Sequence, residues 1–168
     1  MTAQALQRIT SRNCPDGTMD DADFNILRVI QTNPALSTNE VAKRVGLSHT
    51  PCWRRIKRLE AEGVIVDRVA VLDPHKFNLK YTVFAQIKFN HYDEKTRKAI
   101  EKVLQMCPQI VECFSMMDKV DYICRILVAN IEDYDALLKK TLLTLPGLKS
   151  ISSNVALKQI KLTTKLDV

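Results

Sequence analysis

No run in the 168 residues approaches the roughly 18 to 20 apolar positions that a bilayer-spanning helix needs, so none is expected. The first twenty residues also lack the apolar core of a secretory signal. We expect residues 1–18 to form a flexible extension; Arg8 and Arg12, without an early acid, leave a transit peptide as the alternative. Cysteine is odd in number: Cys14, Cys52, Cys107, Cys113 and Cys124 make no C-x-x-C pair. With only three histidines, no zinc-ligand spacing arises, and neither a metal nor a cofactor is expected. Free thiols in that pattern suit a reduced, cytoplasmic setting. Core positions are the bland expectation for Cys52, Cys107, Cys113 and Cys124.

What the chain does have is a localised charge. Lys43, Arg44, Arg54, Arg55, Lys57 and Arg58 fall within sixteen residues that hold no carboxylate, and they account for the whole net charge of +6. A neutral body with one basic block points to a local polyanion contact. Around that block the pattern is helical. Phe24, Leu27 and Ile30 form a stripe that begins in acids and ends before Pro34. Ser37-Thr38-Asn39-Glu40 has the form of a capping box. Gly46 supplies a left-handed stop, and Ser48 can cap a third helix running through Leu59 to Gly63. Two helices joined by Gly46-Leu47-Ser48 have helix-turn-helix spacing, and Val64–Val66 with Val69–Leu72 read as a two-stranded wing.

The remainder reads strand, helix, strand, strand, helix, strand. The signals are Val83, Ala85, Ile87 and Phe89 in alternation, and a helix capped by Asp93 with Ile100, Val103, Leu104 and Cys107 on one face. A hairpin of 110–117 with 122–128 follows, then a stripe of Ile131, Tyr134, Leu138, Leu142 and Leu145, then a last strand over 155–162. The expected class is α+β: a winged helix-turn-helix over 19–72, a linker over 73–81 and a ferredoxin-like βαββαβ domain over 82–168. Phe84, Tyr122 and Val155 are assigned to the face of the sheet without helices, and a half-bare sheet usually means a dimer.

On the third helix Cys52, Ile56 and Leu59 lie on one side at about 100° per residue. Thr50, Arg54, Lys57 and Arg58 project oppositely, with Arg55 on a flank. Arg suits bidentate bonding to guanine in the major groove, whereas Lys and flanking Arg more often neutralise phosphate. Ser48, His49, Thr50 and Arg54 are therefore assigned to base edges, and Lys43, Arg55, Lys57 and Arg58 to phosphates. A merely solvated basic face is the competing reading. Trp53 can pack between helix and wing or meet the DNA backbone.

The segment from Asn39 to Arg58, with Val45-Gly46-Leu47-Ser48, Thr50-Pro51-Cys52 and Arg58-Leu59-Glu60, closely resembles the helix-turn-helix of the Lrp/AsnC (feast/famine) transcriptional regulators. Ala70-Val71-Leu72-Asp73-Pro74 and Thr144-Leu145-Pro146-Gly147 extend the resemblance across about residues 19–165. It implies double-stranded DNA as partner, dimers that often build octamers or larger discs, and amino-acid effectors bound between ligand domains. In the family a Ser/Thr-Gly-x-x-Asp loop receives the effector. Here that loop aligns as Met117-Asp118-Lys119-Val120-Asp121-Tyr122, so the resemblance assigns effector contacts to Met117, Asp118, Asp121 and Tyr122. The glycine position is Asp118, whose carboxylate would repel that of an amino acid; an amino acid, a ligand with a cationic group, or no ligand all remain open. So do an architectural DNA-binding role without effector and, with His91 as its only acid-base group there, an enzyme resembling the sirohaem decarboxylases.

Overall fold

A computed structural model describes residues 19–90, 93–117 and 119–168. They divide into two compact units: residues 19–71 with Leu162–Val168, and Leu72–Lys161. The expected extension over 1–18 lies outside the described residues, as do His91 and Asp118.

The first unit is three helices: α1 (Asp21–Thr32), α2 (Thr38–Val45) and α3 (His49–Ala61). Each start has a local cause. Asp20 caps α1 and exchanges hydrogen bonds with Asp23, its carboxylate accepting from the Asp23 amide at 3.0 Å. Ser37 and Glu40 form the expected capping box on α2, worth about 1 kcal/mol. Gly46, at φ 70°, ends α2 in the left-handed region, where a side chain would be strained. Ser48 stands at the start of α3 but makes no capping hydrogen bond, which corrects the expectation. The core joins Ile26, Leu27 and Ile30 of α1 to Val41 and Ala42 of α2 and to Cys52, Ile56 and Leu59 of α3.

No wing strands form after α3. Asp67 accepts from the Arg68 amide, and the Arg68 guanidinium reaches Glu60 at 3.3 Å. The segments flanking these two residues do not pair, and their valines are exposed. Val64, Val66 and Val69 line a groove of about 540 Å³ with Phe24, Leu27 and Ile30, completed by Leu166 and Val168 of the chain's last segment. A lone two-stranded ribbon is marginal in water, so alternate valines do not suffice to make one. The last segment is fastened to α1 by Arg28 Nε donating to the Val168 carbonyl at 2.6 Å and by the Gln31 side chain accepting from the Leu166 amide at 2.7 Å.

A 3₁₀ turn, Pro74–Phe77, capped by Asp73, lies in the expected linker. The second unit then follows as β1 (Tyr81–Phe89), α4 (Glu94–Met106), β2 (Ile110–Ser115), β3 (Tyr122–Val128), α5 (Ile131–Leu137) and β4 (Leu148–Val155). The sheet order is β2-β3-β1-β4, antiparallel throughout, as the ferredoxin-like expectation requires. Val83, Ala85, Ile87 and Phe89 are buried with Ile100 and Leu104 of α4, Tyr134 and Leu137 of α5, and Cys124, Ile126 and Val128 of β3.

Three expectations need correcting here. The last strand is Leu148–Val155, not 155–162. Gly147, at φ 72°, turns the chain straight into it, and as an edge strand it spends its positions on serines, so the apolar signal pointed downstream. The stripe after residue 131 is not one regular α-helix: α5 widens into a π turn over Leu138–Leu142, closed by the Leu143 amide on the Leu138 carbonyl at 2.8 Å. Leu137 is buried and Ile131 is exposed. Finally, Tyr122 pairs with Ile87 and is buried, and Val155 pairs with Val83, so both belong to the helix-covered face. Phe84 does lie on the other face, with Phe114 and Ile123.

Candidate nucleic-acid interface and effector loop

Helix α3 uses its basic residues in two ways. Asp23 of α1 is wholly buried. The Arg55 guanidinium donates to its carboxylate at 2.8 Å and to that of Asp20 at 2.8 Å. Arg58 donates to the other Asp23 oxygen at 2.5 Å and lies 3.9 Å from Glu62. Asp23 thus ties α3 to α1 through two arginines, satisfying both of its oxygens. A charge so far from water needs partners of this kind. The hydrogen bond to Asp23 is the main reason the Arg55 pKa rises above its ordinary value. Asp20 titrates below the usual carboxylate range, first because the Asp23 amide donates to it and then because of Arg55.

The second set of residues faces outward. His49, Thr50, Arg54 and Lys57 are exposed, and so are Ser48 before the helix and Lys43 on α2. No ion pair engages Arg54 among the described residues, whereas Lys57 meets Glu60 at 2.8 Å. The eight residues assigned to DNA from the sequence therefore separate. Lys43, Ser48, His49, Thr50, Arg54 and Lys57 share the open surface; Arg58 is exposed as well, but it and the half-buried Arg55 are engaged with carboxylates of the same unit. Trp53 is 46% exposed beside Arg54 and has no wing to pack against. Cys52 is buried, which raises its thiol pKa. Asp23 is the functional residue missed in the sequence. Its spacing to Leu27 and Ile30, four and seven residues on, places it in the buried stripe, and that signal was legible.

The loop between β2 and β3 is anchored by Asp121. Its carboxylate accepts from the Phe89 amide at 2.7 Å and lies 3.7 Å from Lys88, and its own amide donates to Ile87 at 2.9 Å. Tyr122 points into the core, where its hydroxyl donates to Glu101 of α4 at 3.0 Å and its ring meets that of Phe89 edge-on. Met117 is almost fully exposed. Of the four residues assigned to an effector, Asp121 and Tyr122 thus have structural partners, Met117 faces outward and Asp118 is outside the described residues.

This geometry agrees with the comparisons. A winged helix-turn-helix DNA-binding family matches residues 19–66, and the Lrp/AsnC ligand binding domain matches residues 82–166. The chain belongs to the Lrp/AsnC family. The DNA-binding transcriptional activator DecR of Escherichia coli (strain K12) is 35% identical over 150 residues, covering 89% of this chain and 99% of DecR. The crystal structure of an AsnC family transcriptional regulator from Agrobacterium tumefaciens is 42% identical, with a TM-score of 0.83 over 88% of this chain and 96% of that one. A transcriptional regulator of Neisseria meningitidis, solved as a complex with L-Met, is 31% identical, with a TM-score of 0.83 over 89% and 96%. The protein is a DNA-binding transcriptional regulator of the Lrp/AsnC type, with a ligand-binding domain following its helix-turn-helix. No helix among the described residues is long and apolar enough to cross a membrane.

Proposed function

We propose that this Lrp/AsnC regulator reads DNA through the outward face of α3, with His49, Thr50 and Arg54 at base edges and Lys43 and Lys57 on phosphates. Arg55 and Arg58 serve instead to hold the helix in place. The observation that carries this reading is the exposed Arg54, without an ion pair among the described residues, on a helix whose neighbouring Arg55 and Arg58 are fastened to Asp23. A homodimer would set two such helices in successive major grooves, about 34 Å apart or a multiple of it, on a pseudo-palindrome. Apolar side chains on the uncovered sheet face, Phe84 and Phe114, support self-association, and larger assemblies such as octamers are consistent with it. The role is regulatory rather than enzymatic, and its setting the cytoplasm.

The effector belongs to the amino-acid class, as the L-Met complex of the Neisseria relative suggests. Because Asp121 holds the loop and Tyr122 points into the core, the ligand contacts assigned by the resemblance fall to Met117 and Asp118. The test has two arms. Selection from a random duplex pool should return a pseudo-palindrome; equal affinity for selected and random DNA would instead support an architectural role. Thermal melting against the twenty amino acids should give a shift for at least one, since a ligand at 100 times its dissociation constant adds about 2.7 kcal/mol. A shift abolished by Asp118→Ala locates the site; no shift with any of them removes the amino-acid effector.

A further inference from the structure

Cys113 and Cys124 stand directly opposite each other in the β2–β3 ladder, with their sulfurs 3.3 Å apart. Their surroundings differ. Cys124 is wholly buried between the sheet and its helices, whereas Cys113, on the edge strand β2, is exposed. The Cys124 thiol donates to the Cys113 sulfur. That hydrogen bond lowers the Cys113 pKa below the ordinary thiol value, while the same bond and burial push Cys124 up. The exposed sulfur is therefore the nucleophile and the buried one keeps its proton, a division that favours reaction at Cys113 first.

We propose that Cys113 and Cys124 are an oxidisable dithiol, with Cys113 the sulfur attacked by a hydroperoxide and Cys124 the resolving thiol. The Cys113 thiolate attacks one peroxide oxygen, the O–O bond breaks, and hydroxide or alkoxide leaves, which gives a sulfenic acid. The Cys124 sulfur then attacks the sulfenic sulfur and gives up its proton, and the sulfenic oxygen leaves as water. Two thiols lose two electrons to form one disulfide, and one peroxide is reduced to water and water or an alcohol. The sulfurs need to approach only from 3.3 Å to about 2.05 Å. An edge strand can give by that much, and β2 already has an irregular register between Ile110 and Glu112. The bridge would close a ring of chain containing residues 116–121, so oxidation would stiffen the loop assigned above to the effector. That consequence rests on the proposed effector site; the bridge itself does not.

The experiment treats the reduced, full-length protein with hydrogen peroxide, denatures it with excess maleimide and reads intact mass and peptides. The expected result is the loss of two alkylatable thiols, a Cys113–Cys124 linked peptide pair and full recovery with dithiothreitol. Cys124→Ala should stop at a Cys113 sulfenic acid that dimedone traps, and Cys113→Ser should leave Cys124 reduced. Wild-type Cys113 that stops at a dimedone-reactive acid, or that links to any other cysteine, would overturn the proposal without any need for a variant to fold. Melting with the amino-acid effector before and after oxidation then reads the loop separately: an unchanged shift would break its coupling to the bridge and leave the bridge standing.

Discussion

Arg54 and Arg55 are adjacent on one helix, have the same side chain, and differ in almost everything that determines a role. Arg54 is exposed and has no carboxylate partner among the described residues, while Arg55 is half-buried between Asp20 and Asp23. One residue of helical rotation separates a group available to a polyanion from one already neutralised. The difference teaches that a basic block read as a single interface is two devices. The two arginines engaged with Asp23 orient α3 on α1, and the outward residues work from that fixed platform. Asp23 makes this possible, since a buried carboxylate can engage two guanidinium groups at once.

The sharpest way to break the comparison is to remove Asp23. Asp23→Ala should destabilise the helical unit by about 2 to 3 kcal/mol, less than a fully buried pair costs because Arg55 and Arg58 can turn to water. Urea denaturation checks this, and a change within about 0.5 kcal/mol would mean that α3 stands without its anchor. Next, Arg54→Ala should cost about 1 to 3 kcal/mol of binding to a selected DNA site and relax preference at one base position. Equal losses on selected and random DNA would reassign Arg54 to phosphate.

Smaller effects sharpen the comparison. Ser37→Ala, which removes the cap of α2 and touches neither set of arginines, should lower stability by about 1 kcal/mol and leave base preference unchanged. Lys57→Ala should weaken all sequences alike and reduce the salt slope by about 1. The smallest effect is that of acid. Because the Asp20 pKa is lowered in the folded chain, its contribution is complete above the ordinary carboxylate range near pH 4 and is lost as pH falls through the folded value. Acid titration of Asp20→Asn should thus show a shallower loss of stability below pH 4 than wild type and a constant deficit relative to it between pH 6 and 8.

Much of the architecture was legible in the chain because its signals are local. The capping residues Ser37 and Asp93, the stop at Gly46 and the alternation of Val83, Ala85, Ile87 and Phe89 each report a short-range cause, and each appears as expected. Errors arose where a distant partner decides. The valines of the expected wing find no strand partner and stay exposed, and β4 is recognised by its pairing with β1 more than by its polar sequence. The residues of the site divide in the same way. Exposure of His49, Thr50, Arg54 and Lys57 followed from helical phase alone. The engagement of Arg55 and Arg58 depended on Asp23, more than thirty residues away. Tyr122 was assigned to a ligand by alignment, but its register opposite Ile87 turns it into the core. Cys113 was expected in the core; its place on an edge strand leaves it at the surface.

The most direct test is to compare Arg54→Ala and Arg55→Ala in the same two assays, thermal melting and binding to selected against random DNA. Arg54→Ala should melt with wild type and lose discrimination. Arg55→Ala should lose about 1 to 2 kcal/mol of stability and, where folded, keep both its preference and its salt slope. If Arg55→Ala melts with wild type and lowers the salt slope instead, the division of α3 into anchoring residues and reading residues is contradicted.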